Sequence, residues 1–422
     1  MLMFRGNLLL HVLLTYAAGM TLGPENVALA QRTGNDAIKI SVTPGRTWNF
    51  GADGVQFDTT FPRARLSEIE HVEGNMYSLV VRPENKPINH SPWFAFKVSA
   101  KRETQLVLHL RCEGGAIRYR PKISTDGRHW ITMPAESFQL AQRPEAKQGI
   151  LTLEVGPEPL WVAAQELVSR EDLEAWSRSL ERLPFVTRSE IGRSLLDRPL
   201  YKLDIGSAAA DKGHLIIIGR QHPPEVTGSL ALMRFVEELV ADTDLSRTFR
   251  ERFHVLLVPL LNPDGVDLGH WRHNLGGVDL NRDWGVFAQP ETRAVRDQIL
   301  AVQQLGKVYV HLDFHSTYND VFYTQPDEPV ESPDPFTKPW IEGIQRRFPA
   351  YRVNRSPSEP VRLTTSQSWV YKTLKVPAIT YELGDNTERS LLRQVSAGAA
   401  QELMTLLLAA KGAKAATDQT VP

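Results

Sequence analysis

Residues 214–229 read HLIIIGRQHPPEVTGS, and the way this stretch folds decides the rest of the chain. The run from Leu215 to Ile218 is apolar without alternation, which predicts a strand covered on both faces. Pro223 and Pro224 then disfavour helix and push the residues before them toward extended backbone. His222 and Glu225 therefore fall on a loop between a buried strand and the helix predicted for GSLALMRFVEELVAD. Such loops, at the carboxyl ends of strands, are where α/β proteins gather their chemistry.

Downstream the same rhythm repeats. RFHVLLVPLLN, KVYVHLDFH and VPAITYELG read as strands, while ETRAVRDQILAVQQL and SLLRQVSAGAAQELMTLLLAAK read as helices. The expected fold is α/β, a mixed, mostly parallel sheet flanked by helices. Upstream, YSLVVRP, WFAFKVSA, TQLVLHLR, IRYRPKIS and ILTLEVG are short segments rich in Val, Ile, Phe and Tyr, separated by Gly, Pro, Asn and Asp. They predict an antiparallel β-sandwich before the α/β unit. Trp93, Phe94 and Phe96 read as alternating core rather than a sugar-binding face. The helix REDLEAWSRSLERL, residues 170–183, links the two regions. The expected organisation is a signal peptide over 1–30, a sandwich over 31–168, an α/β domain over 169–412 and a polar tail over 413–422.

Composition narrows the class. Of 422 residues, 42% are hydrophobic and 23% charged, as in soluble globular proteins, and the formal net charge is −1. That balance gives no electrostatic case for nucleic acid or an anionic membrane. A single cysteine, Cys112, excludes an intrachain disulfide and a cysteine-based zinc site, leaving His and carboxylates for any metal. Arg5, the apolar run LLLHVLLTYAAGM and Ala28-Leu29-Ala30 before Gln31 have the order of an export signal. The run is too short for a comfortable membrane span. The expected location is the periplasm or outside the cell, with no stable membrane insertion once the signal is removed.

Four predicted strand ends carry polar residues. His222 and Glu225 follow the first, NPDG (262–265) the second, His315 the third, and Glu382 ends the fourth. His222, Glu225 and His315 make a two-histidine, one-carboxylate set that suits Zn2+ with a fourth position open to water. Glu382 is the candidate general base beside it. The loop GHWRHNLGGVDLNRDWG (269–285) adds Arg272, Asn281 and Arg282. Guanidiniums on such a loop either clamp a carboxylate or stabilise an oxyanion.

Jointly, GRQHPPE, NPDG, WRHN, GVDLNRDWG, DFHS and YELGD resemble, in order, the motifs of the funnelin-type zinc metallocarboxypeptidases. The closest resemblance is to the branch that includes the cytosolic carboxypeptidases, which carries a β-sandwich before the catalytic domain. SPWFAFKVSA, DGRHWITMP and PLWVAAQELVSREDLEAW resemble that module, so the likeness covers roughly residues 40–410. It implies a zinc-dependent carboxypeptidase with one Zn2+ per chain held by His222, Glu225 and His315. It further implies Glu382 as base and proton shuttle, Arg272 as the polariser of the scissile carbonyl, and Asn281 with Arg282 gripping a peptide's free terminal carboxylate.

The resemblance is incomplete in one place. Digestive-type members place a mobile tyrosine well before the catalytic glutamate, whereas Tyr371 is the only tyrosine before Tyr381 in residues 356–382 and reads as a packed helix residue. Arg362 is a candidate for facing an acidic side chain, with a solvent-facing arginine as the default. His311 reads as packed, Asp313 as an orienter of a ligand histidine or a plain strand-end acid, and Asp264 as a turn residue. Two rival functions are a zinc amidohydrolase of N-acyl amino acids, on the aspartoacylase-type fold, and a non-catalytic binding module.

Overall fold

The computed structural model describes residues 40–51, 54–141, 146–327, 336–358 and 364–418. The segment read as an export signal lies outside them. Eleven strands come first among the described residues. They are β1 (Thr47–Phe50), β2 (Val55–Asp58), β3 (Glu68–Glu73), β4 (Met76–Val81), β5 (Ala95–Ser99), β6 (Thr104–Cys112), β7 (Lys122–Ser124), β8 (Ile131–Thr132), β9 (Phe138–Leu140), β10 (Gln148–Val155) and β11 (Leu160–Ala163). They form two sheets, β1-β2-β5-β11-β7-β8 and β3-β4-β6-β10-β9. Period-two alternation drives their packing: in β10, Gly149, Leu151, Leu153 and Val155 point inward between more exposed residues. Both sheets share one core, which takes Trp93, Phe94 and Phe96. One pairing departs from the antiparallel expectation, because β4 and β6 run parallel with Met76 opposite Val107. The chain crosses to the other sheet through β5 before returning, so β6 re-enters in the direction of β4.

The α/β unit opens with α1 (Arg170–Glu181), whose first turn is fixed by a capping box between Ser169 and Asp172. It continues through β12 (Val186–Arg193), β13 (Pro199–Ile205), β14 (Gly213–Gly219), α2 (Val226–Leu239), α3 (Asp244–Arg252), β15 (Phe253–Val258) and α4 (Pro263–Asp267). Then come α5 (Pro290–Leu305), β16 (Val308–Thr317), β17 (Val321–Thr324), α6 (Thr337–Arg347), β18 (Arg355–Pro357), α7 (Ser366–Leu374), β19 (Ala378–Gly384) and α8 (Arg389–Asp418). The sheet order is β12-β13-β15-β14-β16-β19-β17-β18. Its four central strands, β15, β14, β16 and β19, are parallel, and antiparallel pairs flank them. The closing helix runs past Lys411 to Asp418, where the sequence reading had placed a polar tail; Ala413, Ala415 and Ala416 favour helix and no proline intervenes before Pro422.

Strand β14 shows why an apolar run without alternation belongs at the centre. Leu215 and Ile217 pack with Phe235 and Leu403 on one face, and Ile216 and Ile218 with Val295 and Val370 on the other. From β14 the chain goes next to β15 on one side, and later to β16 on the other. The reversal opens a crevice at the carboxyl ends of β14 and β16, where ligands bind in such sheets. Gly228, in the first turn of α2, lets the helix sit against β16: a Cβ there would lie 2.5 Å from the His315 carbonyl oxygen.

Candidate active site

The crevice collects the residues in question. His222 lies on the loop leaving β14, Glu225 is the N-cap of α2, and His315 is on β16. Glu382, on β19, is the parallel-strand partner of His315, so the two side chains share a face of the sheet. The Nδ1 atoms of His222 and His315 lie 2.8 Å from the two oxygens of Glu225 and 3.2 Å from each other. Both Nε2 atoms are engaged elsewhere, that of His222 with Asp279 Oδ1 at 2.9 Å and that of His315 with Asp313 Oδ2 at 2.9 Å. When each Nε2–H donates to its carboxylate, both Nδ1 atoms carry lone pairs, and with Glu225 three acceptors converge. Such a knot of acceptors needs a cation. Tetrahedral Zn2+ with ligand bonds of about 2.0–2.1 Å sets ligand atoms roughly 3.3 Å apart, which the imidazole spacing matches. The donor set fits zinc and leaves a fourth position for a ligand.

Electrostatics agree. Burial works to raise the pKa of Glu225, but the His222 and His315 imidazoles overcome it and hold the carboxyl well below its usual range. Burial likewise opposes charge on His315, yet Asp313 and Glu225 push its pKa well above the usual value, so the pocket holds positive charge firmly. Glu382 behaves oppositely: burial, then the like charge of Glu225, raises it to about 7. Its Oε2 is buried and has no protein partner among the described residues. A carboxyl group so placed is suited to accept a proton and return it.

The loop after α4 supplies the rest. Asp279 caps the 3-10 turn Leu280–Arg282 through Asn281 N at 2.9 Å, and its other oxygen takes Arg272 Nε at 2.6 Å. One carboxylate thus ties an arginine to a histidine of the metal set. Asn281, which the resemblance pairs with Arg282 on a substrate carboxylate, also bonds within the protein. Its Oδ1 accepts Ser366 N at 3.0 Å, and its Nδ2 lies 3.3 Å from His315 Nε2. Arg282 does line the adjoining cavity of about 1280 Å3, along with Arg118, Arg272, Asp279, Tyr318 and Tyr323. Asp264 is also more than a turn residue. It is buried in α4 and accepts Ser194 Oγ at 2.8 Å, Leu196 N at 3.0 Å and Arg198 Nη1 at 2.7 Å.

Several contributors carried no sequence signal. Gln221 donates to Asp313 at 2.6 Å and receives Trp284 Nε1 at 2.9 Å, bracing the residue behind His315. Arg118 comes from the sandwich, donates to Ser316 O and Asp385 Oδ1 at 2.8 and 2.9 Å, and lines the cavity. Tyr371 packs against the core beneath the sheet, and Tyr323 is the phenol near Glu382, its pKa raised by burial and then by that carboxylate. His311 is fully buried, and burial lowers it to about 4. Arg362 lies outside the described residues.

Residues 173–397, more than half of the chain, match the profile of Peptidase_M14, zinc carboxypeptidase. The chain belongs to the zinc carboxypeptidase family. It is similar to the mouse protein named cytosolic carboxypeptidase 6, 26% identical over 302 residues that cover 63% of this chain and 54% of that protein. It is also similar to the Caenorhabditis elegans protein of that name, 24% identical over 64% of this chain and 65% of that one. The chain thus spans between half and two thirds of these relatives' length. Among solved structures, a metallo-carboxypeptidase from Burkholderia cenocepacia superposes with a TM-score of 0.68 at 21% identity, over 84% of this chain and 98% of that one. One from Pseudomonas aeruginosa, solved in complex with (2-guanidinoethylmercapto)succinic acid, gives 0.67 at 20% identity, over 83% and 99%. These two likenesses establish the shared fold across both the sandwich and the α/β unit of this chain.

Proposed function

We propose that the chain hydrolyses the C-terminal peptide bond of peptides that carry a free terminal carboxylate. The carrying observation is the convergence of His222 Nδ1, Glu225 and His315 Nδ1 beside Glu382, at a cavity whose wall presents Arg272 and Arg282. His222, Glu225 and His315 would hold the metal, and bound Zn2+ supplies polarisation of the carbonyl and acidification of a water. Glu382 takes a proton from the attacking water as the new C–O bond forms. Arg272, oriented by Asp279, donates to the carbonyl oxygen as it gains negative charge. Glu382 then returns the proton to the amine nitrogen as the C–N bond breaks. Arg282, with Asn281 beside it on the turn capped by Asp279, grips the terminal carboxylate.

We also propose export, supported by the order of charge, apolar run and small residues in 1–30. N-terminal sequencing of the mature protein should begin at Gln31. No helix of the described residues is long and apolar enough to cross a membrane.

The test of the activity compares a set of free peptides with the same peptides amidated at the C-terminus and with N-acyl amino acids. Free peptides should lose one residue at a time, amidated ones should be inert, and chelation should abolish turnover. Equal cleavage of free and amidated peptides, or a preference for N-acyl amino acids, overturns the proposal.

A further inference from the structure

Arg272 sits in the α/β unit, yet the segment that carries it is held by the sandwich. Trp271 is fully buried and belongs to the sandwich core. Its Nε1 donates to Trp93 O at 3.1 Å, and its carbonyl accepts Ser91 Oγ at 3.1 Å. The backbone N–H groups of Trp271, Arg272 and His273 all point at one side chain, Glu84, in the loop between β4 and β5. Trp271 N lies 2.7 Å from Oε2, and Arg272 N and His273 N lie 2.9 and 2.7 Å from Oε1. Three successive amides turned inward form a nest for an anion, and here the anion is built into the chain. The Glu84 side chain is 0% exposed. Burial opposes its charge, but His270, His273, Arg65 and the His273 amide hold its pKa down at about 2. Its neighbour Asn85 adds a bond to Gly277 O at 3.0 Å, at the far side of the same loop.

We propose that Glu84 is a positioning residue for Arg272, which makes the sandwich a working part of the active site rather than an accessory. With Trp271 anchored in the sandwich core and the 271–273 amides fixed on Glu84, the Arg272 side chain leaves from a defined point, and Asp279 sets its head at 2.6 Å from Nε. A backbone free to shift there would move the guanidinium away from the developing oxyanion, and such donors act only when preorganised. The inference rests on the oxyanion role given above to Arg272.

The test uses the full-length zinc-loaded enzyme and four variants: Glu84→Gln, Glu84→Asp, Arg272→Ala and the double variant E84Q/R272A. Gln keeps one acceptor and turns an NH2 toward the amides; Asp keeps the charge but withdraws it by one methylene. Both should lower kcat by about 10- to 100-fold, the range for outer partners of catalytic groups, with KM and zinc content unchanged. In the double variant Glu84→Gln should add nothing to the loss from Arg272→Ala, because both remove the same interaction. A purely structural Glu84 would lower melting temperature and yield while leaving kcat per bound zinc intact. Wild-type kcat in both Glu84 variants, or losses that multiply in the double variant, overturns the proposal. If Glu84→Gln does not fold, Glu84→Asp decides by its own kcat. Full activity in Arg272→Ala alone would instead remove the oxyanion role of Arg272, a separate failure.

Discussion

Replacing Asp279 with asparagine tests the link between the metal set and the oxyanion arm. Asp279 Oδ1 meets two donors, His222 Nε2 and Asn281 N, each at 2.9 Å, while Oδ2 meets Arg272 Nε at 2.6 Å. Burial opposes its charge, but Arg272 and His222 hold its pKa well below the usual carboxylate range, so it is anionic at any working pH. Asparagine has one acceptor. If that oxygen stays where two donors converge, the NH2 faces Arg272 Nε–H and that bond is lost. A hydrogen bond to a charged group is worth about 1.5–3 kcal/mol, so the loss of Arg272 registration should cost roughly 10- to 100-fold in kcat. The bond to His222 survives but loses its charge, which should weaken zinc binding by about tenfold, the low end for such outer partners. Competition against a chromogenic chelator reads the affinity, and kcat at saturating zinc reads the second effect. A variant that binds zinc as tightly as wild type and turns over as fast would refute the reasoning.

Glu382→Gln should retain zinc and lose turnover by about 10²- to 10⁴-fold, the usual worth of a general base; substantial residual turnover rules Glu382 out as that base. Glu291, at the start of α5, is fully buried, its Oε1 has no partner among the described residues, and burial raises its pKa from 4.5 to about 8. The folded chain therefore keeps this proton to about pH 8 while the unfolded chain releases it near 4.5, so stability falls as pH rises between the two, by about 1.4 kcal/mol per pH unit. Denaturant titrations across that window should show a shallower fall in Glu291→Gln than in wild type, and parallel curves would contradict the assignment.

Much of the α/β unit was legible because its signals are local. The uninterrupted apolar run at Leu215 to Ile218 could only be a strand buried on both sides, and the prolines behind it could only make a loop. His222, Glu225 and His315 stood out because each follows or ends a strand that the hydrophobic pattern had already marked. The cap residues were harder. Asn262 reads as a turn signal, and in the structure it caps Gly265 N at 2.9 Å to start a one-turn helix, which buries Asp264. Turn and helix start share the same residue chemistry, and only the packing around Asp264 separates them.

The amino-acid order alone determined which segments are strands and helices, and which residue types stand at the carboxyl ends of the strands, because periodicity and backbone restriction act between neighbours. Only the tertiary structure decided that Asp279 joins His222 to Arg272, that the Asn281 amide turns inward to His315 and Ser366, and that Glu84 and Arg118 of the sandwich belong to the site. Those pairings join residues as much as 267 positions apart, as Arg118 and Asp385 are. Nothing in a local pattern encodes such a partner. It is set by how two separately patterned cores press together, with Trp271 of one unit buried in the core of the other.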